Sequence, residues 1–365
     1  MDKLEQARLR INAIDKQMAE LFVQRMEASA QVGQYKLEHG LPVLDTAREA
    51  DVVRRNACLV EDETLRAYYV NFLQNSMALS RKYQQRIQQG LTVAYSGVEG
   101  AFAFIAARKI FPDAVQKSFG DFRTAYDAVV NGDCDCVVLP IENSYAGEVS
   151  QVIDLMFQGT LYVNGIYDLE ITQNLLGLPG ASVADIKTVI SHPQALSQCA
   201  EYIRDRGFAE KRANNTALAA QYVAEQGDPS IAAIASLDTA ALYGLTVLEK
   251  NINESSTNTT RFAVLSRVEN RAETVEHGRQ SILVFTVKHE AGALAKAINI
   301  IGDHGFNMRT LRSRPMKELL WQYYFYVEVE GNAHSPSGKQ MMQELSAYCD
   351  HLRIVGTFAH ESTLK

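Results

Sequence analysis

The chain has 365 residues, 47% of them hydrophobic and 22% charged. That is globular composition, and it is too long for one ordinary core, so two or three domains are expected. A formal net charge of -7 argues against a general nucleic-acid binder, which needs a basic face. It leaves room for a few arginines gathered around a small anion. No apolar run approaches the roughly 20 residues that span a bilayer, and Met1-Asp2-Lys3-Leu4-Glu5 carries no basic-then-apolar leader pattern.

Five scattered cysteines, Cys58, Cys134, Cys136, Cys199 and Cys349, point to reduced thiols in a cytoplasmic protein. Cys134-Asp135-Cys136 has the wrong spacing for a redox or zinc pair, and the histidines form no HExxH-type cluster, so no metal is expected.

In chain order, residues 1–90 read as nearly all helix. Leu4, Ile11, Ile14, Met18, Leu21 and Phe22 recur at helical spacing, uninterrupted by glycine or proline before Gly33. His39-Gly40-Leu41-Pro42 stops this helix. Asp45 opens a second near Thr46, and Glu61-Asp62-Glu63-Thr64 opens a third, with acids at its positive end. At Gly90 the pattern changes. Leu91–Tyr95, Cys136–Ile141, Thr188–Ser191 and Ile231–Ala235 read as strands, alternating with helices near 121–131, 193–205 and 216–226. This predicts an α/β region with a largely parallel sheet, reaching residue 267. Residues 268–280 are polar and charged and read as a linker. The remainder reads βαββαβ, the ferredoxin-like order, with strand 281–287, helix 292–303, strands near 306–313 and 321–329, helix 335–348 and strand 351–357. The expected division is 1–89, 91–267 and 281–358.

On the first helix, Arg25 and Lys36 lie about 20° apart around the axis and ~16 Å apart along it, so their side chains can converge on one anion. Arg8 lies ~25 Å from Arg25 on the same rod. It is either a plain surface residue or the servant of a second site in a partner subunit. The amphipathic rod needs partners to bury its stripe.

The set Arg8, Arg25, Lys36, Asp45, Arg48-Glu49, Ser80 and Gln84 resembles, in order and spacing, the all-helical chorismate mutases. In that family two chains intertwine, and the early arginine enters the partner's site. The resemblance implies a pericyclic rearrangement of chorismate to prephenate, without nucleophile or proton transfer. Arg8, Arg25 and Arg48 would grip carboxylates, assisted by Ser80. Lys36 and Gln84 would donate to the ether oxygen as charge develops there. Glu49 and Asp45 would orient the ring hydroxyl.

In the α/β region, Val138-Leu139-Pro140-Ile141-Glu142-Asn143-Ser144-Tyr145-Ala146-Gly147 ends a buried strand in polar residues, at the edge where open α/β sheets bind ligands. Alone it reads as a turn capped by Asn143 or Ser144. Three further runs are Gly97-Val98-Glu99-Gly100-Ala101-Phe102, Ser191-His192-Pro193-Gln194-Ala195 and Asn258-Thr259-Thr260-Arg261-Phe262. Together the four resemble the signature segments of the prephenate dehydratases, with Val98 where many members have proline. The family's fold has two lobes around a cleft, similar to periplasmic binding proteins, and its reaction removes carbon dioxide and the ring hydroxyl from prephenate. The resemblance puts Thr260 at that hydroxyl. It makes Asn143, Ser144, Thr259 and Arg261 substrate contacts, and Glu142 a candidate for proton handling. A geometric condition attaches: if the strand already includes residue 260, Thr260 and Arg261 point to opposite faces. His192 reads equally as a cleft residue and as a turn residue before Pro193.

The tail resembles an ACT domain. Gly292-Ala293-Leu294 opens a helix as in relatives that bind phenylalanine, and Gly292 would let a ligand approach backbone N–H groups. Arg312-Ser313-Arg314-Pro315 stands where the family has Glu-Ser-Arg-Pro. If that place meets a ligand's ammonium, Arg312 should repel it; if it meets neighbouring protein, effector binding should survive.

The expected molecule is therefore multidomain: an all-α mutase domain, an α/β two-lobed dehydratase domain similar to periplasmic binding proteins, and an α+β ferredoxin-like ACT domain. It takes chorismate and prephenate, is inhibited by phenylalanine, and forms a homodimer or larger homo-oligomer. No cofactor, nucleic acid or membrane is expected. Arogenate, with an amino group in place of the keto group, is an alternative substrate. A non-catalytic amino-acid sensor is the other reading, but it has no use for Lys36 and Gln84 aimed at an ether oxygen.

Overall fold

The computed structural model describes residues 2–255, 257–269, 279–316, 322–359 and 362–364. It forms two compact units, Met1–Thr92 and Val93–Lys365.

The first unit is three helices: α1 (Lys3–Glu38), α2 (Thr46–Ala57) and α3 (Glu63–Gln89). Asp2, Asp45 and Asp62 each cap one, accepting the backbone N–H three residues on. Such a cap contributes about 1 kcal/mol. Only Ser29 and Gly33 of α1 are buried. The apolar residues expected to face a core, Leu4, Ile11, Ile14, Met18, Leu21 and Phe22, are exposed, Leu21 by 63%. A rod of 36 residues is ~54 Å long, and α2 and α3 leave its N-terminal half uncovered.

The second unit opens with β1 (Thr92–Ser96), α4 (Phe102–Ile110), β2 (Val115–Phe119), α5 (Phe122–Val130), β3 (Cys136–Asn143), β4 (Gly147–Glu148), α6 (Ser150–Gln158) and β5 (Tyr162–Glu170). A second lobe follows: β6 (Asn174–Gly177), β7 (Thr188–Ser191), α7 (Pro193–Gln198), α8 (Ala200–Arg206), β8 (Ala209–Arg212), α9 (Thr216–Gln226), β9 (Ile231–Ala235), α10 (Leu237–Tyr243) and β10 (Thr246–Glu249). The chain then returns through β11 (Thr259–Ser266). The tail adds β12 (Arg279–Val287), α11 (Ala293–Asp303), β13 (Asn307–Pro315), β14 (Tyr323–Glu330), α12 (Pro336–Leu345), β15 (Cys349–Ala359) and β16 (Ser362–Leu364).

The first lobe's sheet has the order β16-β5-β11-β3-β1-β2, with β4 beside β3; the second lobe's is β10-β6-β9-β7-β8. Neither is the largely parallel sheet expected. β1/β3, β7/β8 and β7/β9 are parallel, but β11 runs antiparallel to both β3 and β5, and β6 antiparallel to β9 and β10. The reason is the crossing between lobes. β5 leaves the first lobe and β11 returns to it, so the two must run in opposite directions. Beyond them, Ile171 N–H donates to the Asn258 carbonyl at 2.8 Å and Ile252 N–H to that of Gln173 at 2.9 Å, which ties the outgoing and returning segments into the floor between the lobes.

The tail is a four-stranded antiparallel sheet, β13-β14-β12-β15, with two helices. One face packs on those helices through Leu283, Phe285, Ala297, Ile301 and Val327. The other, carrying Ile282, Val284, Tyr324 and Tyr326, shares a core with Leu155, Met156 and Val163 of the first lobe. Burial on both faces explains the apolar run Ile282–Val287, where a one-sided strand would alternate. Most of the expected linker, residues 270–278, lies outside the described residues.

At the junction of tail and lobe, Gly356 lies so near β5 that a Cβ on it would be 2.0 Å from the Val163 carbonyl oxygen. Gly356→Ala should therefore cost about 1–3 kcal/mol by overpacking. Hydrogen exchange should quicken across β15 and β5 and stay unchanged in α1–α3; equal loss through the helices would contradict this account of the docking.

Candidate active sites

In the first unit, α1 and α3 lie side by side and α2 closes one end of a cavity of about 280 Å³. Arg25, Lys36, Asp45, Arg48, Glu49, Ser80 and Gln84 all line it. Arg8 does not. Helix spacing brings the rest together: Ser80 and Gln84 are one turn apart on α3, facing Arg25 and Ser29 of α1. Arg25 donates to the Ser76 carbonyl at 3.1 Å and to the Ser80 hydroxyl. Lys36 Nζ reaches the Val43 carbonyl at 2.6 Å, which holds the loop before α2 against α1. Asp45 spends one oxygen on the Arg48 N–H. Gln84 Nε2 gives one hydrogen to Ser29 Oγ at 3.0 Å and keeps its second, while its Oε1 is buried without a partner. Ser29 and Arg81 were not singled out from the sequence. Arg81 donates to Glu49, an inter-helix contact that no spacing rule on one helix announces.

The second unit holds a cleft of about 660 Å³ between its lobes. Strand alternation builds its floor. Thr260 pairs with Asn143 and Arg261 with Glu142 across β11 and β3. Since β11 begins at Thr259, the geometric condition applies: Thr260 and Asn143 line the cleft, and Arg261 and Glu142 turn to the opposite face. Asn143 Nδ2 donates to Thr260 Oγ1 and to Asn258 Oδ1, both at 2.9 Å, and its Oδ1 accepts the N–H groups of Tyr145 and Ala146. Because Thr260 Oγ1 accepts from Asn143, its own proton is directed elsewhere. Ser144 and Thr259 are outside the cleft lining. They clasp each other, Ser144 N–H donating to the Thr259 carbonyl at 2.8 Å and Thr259 N–H to Ser144 Oγ at 3.0 Å.

The cleft walls come from both lobes. Phe102, Phe119 and Phe122 supply apolar faces; Ser96, Ser118, Gln194 and Asn214 supply neutral polar groups. Among the described lining residues there is no lysine or arginine. Helix α4 starts at the cleft, through Ala101–Ala103, with no side chain capping it, so its first N–H groups remain for a ligand. Gln173, 2% exposed, donates to Gln198 Oε1 at 3.2 Å and keeps its own Oε1 without a partner. Ala101, Phe102 and Gln194 fall in runs singled out from the sequence; Ser96, Ser118, Phe119, Phe122, Gln173 and Asn214 carry no motif, and sequence reasoning passed over them.

His192 lines the cleft and is also the turn residue: its Nδ1 accepts the Gln194 N–H at 3.2 Å, capping α7. Burial pushes its imidazole below the usual histidine range.

In the tail, Gly292 sits at φ +81°, just before α11, with no side-chain cap. Ala293 begins that helix, and Leu294 packs against the tail's core. On β13, Arg312 and Arg314 face the first lobe and pair with Glu142, Glu148 and Asp154. Ser313 and Pro315 alternate with them on the exposed face.

Among the described residues no group of His, Cys, Asp and Glu could hold a metal ion, and no helix is long and apolar enough to cross a membrane.

Comparison with known proteins is consistent with this division. Residues 7–85 match the model for chorismate mutase type II, and 93–270 that for prephenate dehydratase. A bifunctional chorismate mutase/prephenate dehydratase of Enterobacter agglomerans is 29% identical, over 97% of this chain and 95% of its own. Arogenate dehydratase 2 of Petunia hybrida is 34% identical, over 74% of this chain and 72% of its own. The crystal structure of a prephenate dehydratase from Arthrobacter aurescens in complex with L-Phe is 26% identical, with TM-score 0.69, over 74% of this chain and 90% of that one.

A prediction follows from His192. Its folded value lies below the ordinary 6.5, so at neutral pH it is an uncharged acceptor. As pH falls below 6.5 the unfolded chain takes this proton first, so stability drops. In the folded chain the late-arriving proton turns Nδ1 into a donor facing an N–H. Prephenate turnover should show an acid limb below pH 6.5. His192→Asn, a cap that does not titrate, should flatten it. A limb that persists in the variant has another source.

Proposed function

Because the chain belongs to the bifunctional chorismate mutase/prephenate dehydratase family, converting chorismate to prephenate and prephenate to phenylpyruvate, we propose that each reaction has its own site, the helical cavity for the first and the two-lobed cleft for the second. The observation that carries this is the separation of the two polar constellations, one within residues 25–84 and one within 96–260.

In the cavity, Arg25 and Arg48 hold the carboxylates of chorismate, and Ser80 orients the Arg25 guanidinium it already accepts from. Lys36 and the spare hydrogen of Gln84 Nε2 face the ether oxygen, where negative charge grows as the bond breaks. Glu49, steadied by Arg81, and Asp45 address the ring hydroxyl. A dianion held in its compact conformer needs no further chemistry from the protein. Arg8 enters the cavity of a second copy. The exposed stripe on α1 supports this: burying it against a like helix would supply both a missing core and the missing arginine.

In the cleft, Thr260 donates to the leaving ring hydroxyl of prephenate while the ring carboxylate departs as carbon dioxide. Electrons of the broken carbon–carbon bond enter the ring as the carbon–oxygen bond gives way, and a proton completes the water released. Phe102, Phe119 and Phe122 flank the ring. The start of α4 and neutral donors receive the carboxylates, because lysine and arginine are absent from the described lining.

We read the tail as a ferredoxin-like ACT module that takes phenylalanine and lowers dehydratase activity. Its βαββαβ order, the left-handed Gly292 at the start of α11 and the phenylalanine complex of the Arthrobacter relative support this. The exposed side of the edge strand β13, at Ser313 and Pro315, is left for a ligand. Five cysteines without a disulfide suit the cytoplasm.

Arogenate as the second substrate has one observation in its favour, the 34% identity to arogenate dehydratase 2 of Petunia hybrida.

Two predictions test the site assignments. Arg25→Ala should abolish chorismate turnover and spare turnover of added prephenate, while Thr260→Val should do the reverse; loss of both activities from either folded variant contradicts separate sites. Running the second assay with arogenate decides the alternative substrate by the larger kcat/KM. Mixing Arg8→Ala and Arg25→Ala chains should restore part of the mutase activity, since a mixed dimer has one site free of both changes. No recovery under proven subunit exchange rules out the shared site.

A further inference from the structure

Behind the cleft floor lies a set of charges, buried at Glu328 and Asp154 and partly buried elsewhere, that neither reaction uses. Glu142 and Arg261 sit one residue from Asn143 and Thr260, on the reverse face of the same paired strands. Arg261 bridges Glu142 at 3.2 Å and Glu328 of β14 at 3.0 Å. Arg312 of β13 reaches Glu142 at 2.5 Å and Glu148 at 3.6 Å. Arg314 continues to Glu148 and Asp154, both at 3.1 Å. Tyr326 donates to Glu328 at 2.7 Å and Tyr324 to Asp154 at 2.6 Å. The Glu328 side chain is 3% exposed and that of Arg312 17%. Burial would raise the Glu142 carboxyl, but the guanidiniums of Arg312 and Arg261 outweigh it and hold it below the usual carboxylate range.

Charges this enclosed interact strongly and are geometrically exacting, so they fix register more than they add net stability. The register fixed here is that of the β3 and β11 ends. We propose that Arg312 is a positioning residue for the dehydratase: through Glu142 it holds the strand ends from which Asn143 and Thr260 reach the cleft, so the tail is a structural part of the catalytic site. This rests on the reading of Thr260 and Asn143 as the reacting floor of the cleft. A displacement of about 1 Å at such a floor costs up to ~100-fold in rate.

The test uses the full chain. Arg312→Met keeps bulk and removes the charge; Arg312→Lys keeps the charge and loses the fork. Prephenate kcat should fall about 10-fold or more in Arg312→Met, with KM within about twofold, because no substrate contact is lost. Arg312→Lys should lie between it and the unaltered enzyme, and Arg312→Met with Glu142→Gln should recover part of the loss by removing the stranded carboxylate. Chorismate turnover should not change. Thr260→Val runs alongside. If it stays active, the cleft reading falls and this proposal with it. If it is dead while Arg312→Met keeps full kcat, only the proposal falls. It is equally overturned if Arg312→Met alters the response to phenylalanine with kcat intact, which would make Arg312 an effector contact, or if Arg312→Lys is as impaired as Arg312→Met.

Discussion

The pairing of β3 with β11 is the constraint on which the larger unit depends. Neighbouring residues of a strand face opposite ways, so one register, Thr260 on Asn143 and Arg261 on Glu142, builds two surfaces at once. Its front is the cleft floor, uncharged and able to direct a hydroxyl proton outward. Its back is a field of ions that receives the tail. Polar groups at these strand ends thus divide by parity between the cleft and the ionic back, and shifting the register by one residue would exchange them.

The two units solve the burial problem differently. In the larger one, the tail's sheet is covered on both faces, by its own helices and by the first lobe. The three-helix unit leaves the apolar stripe of α1 in solvent. Its cavity is nonetheless formed by the C-terminal half of α1 with α2 and α3, because Gly33 lets Gln84 approach so closely that a Cβ there would meet Gln84 Cγ at 3.0 Å. Geometry of the site and completeness of the core are therefore separate properties of this unit. Seven of the polar residues gather without any help from the uncovered end.

Much of this was legible in the sequence, for reasons that mark the limits of such reading. Helical period, the stop at His39–Pro42, Asp45 and the acids of Glu61–Thr64 announced α1–α3, but not where α2 ends. Part of the order of strands and helices was equally readable, but β5 was not, nor was the direction of β11, since it follows from the chain's passage between lobes rather than from any local pattern. The opposed faces of Thr260 and Arg261 were a conditional inference that only the starting residue of β11 could resolve. Contacts such as Arg81 with Glu49 or Gln173 with Gln198 join residues distant in sequence, where no periodicity speaks. Arg312 was left open between a ligand contact and a contact with neighbouring protein. Alternation along β13 sends it, with Arg314, to the lobe.

The charge reversal at Arg312 then has a local cause. Among the described residues the network around it holds four carboxylates, Glu142, Glu148, Asp154 and Glu328, and three guanidiniums, Arg261, Arg312 and Arg314. Among those residues a glutamate at 312 would set five acids against two arginines in a place largely closed to water, where uncompensated charge is expensive. Glu142, at the end of the strand that carries Asn143, would lose its shortest partner and face a like charge. In this chain, whose network already contains those four acids, arginine is the residue at 312 that lets the tail close over the back of β3 and β11.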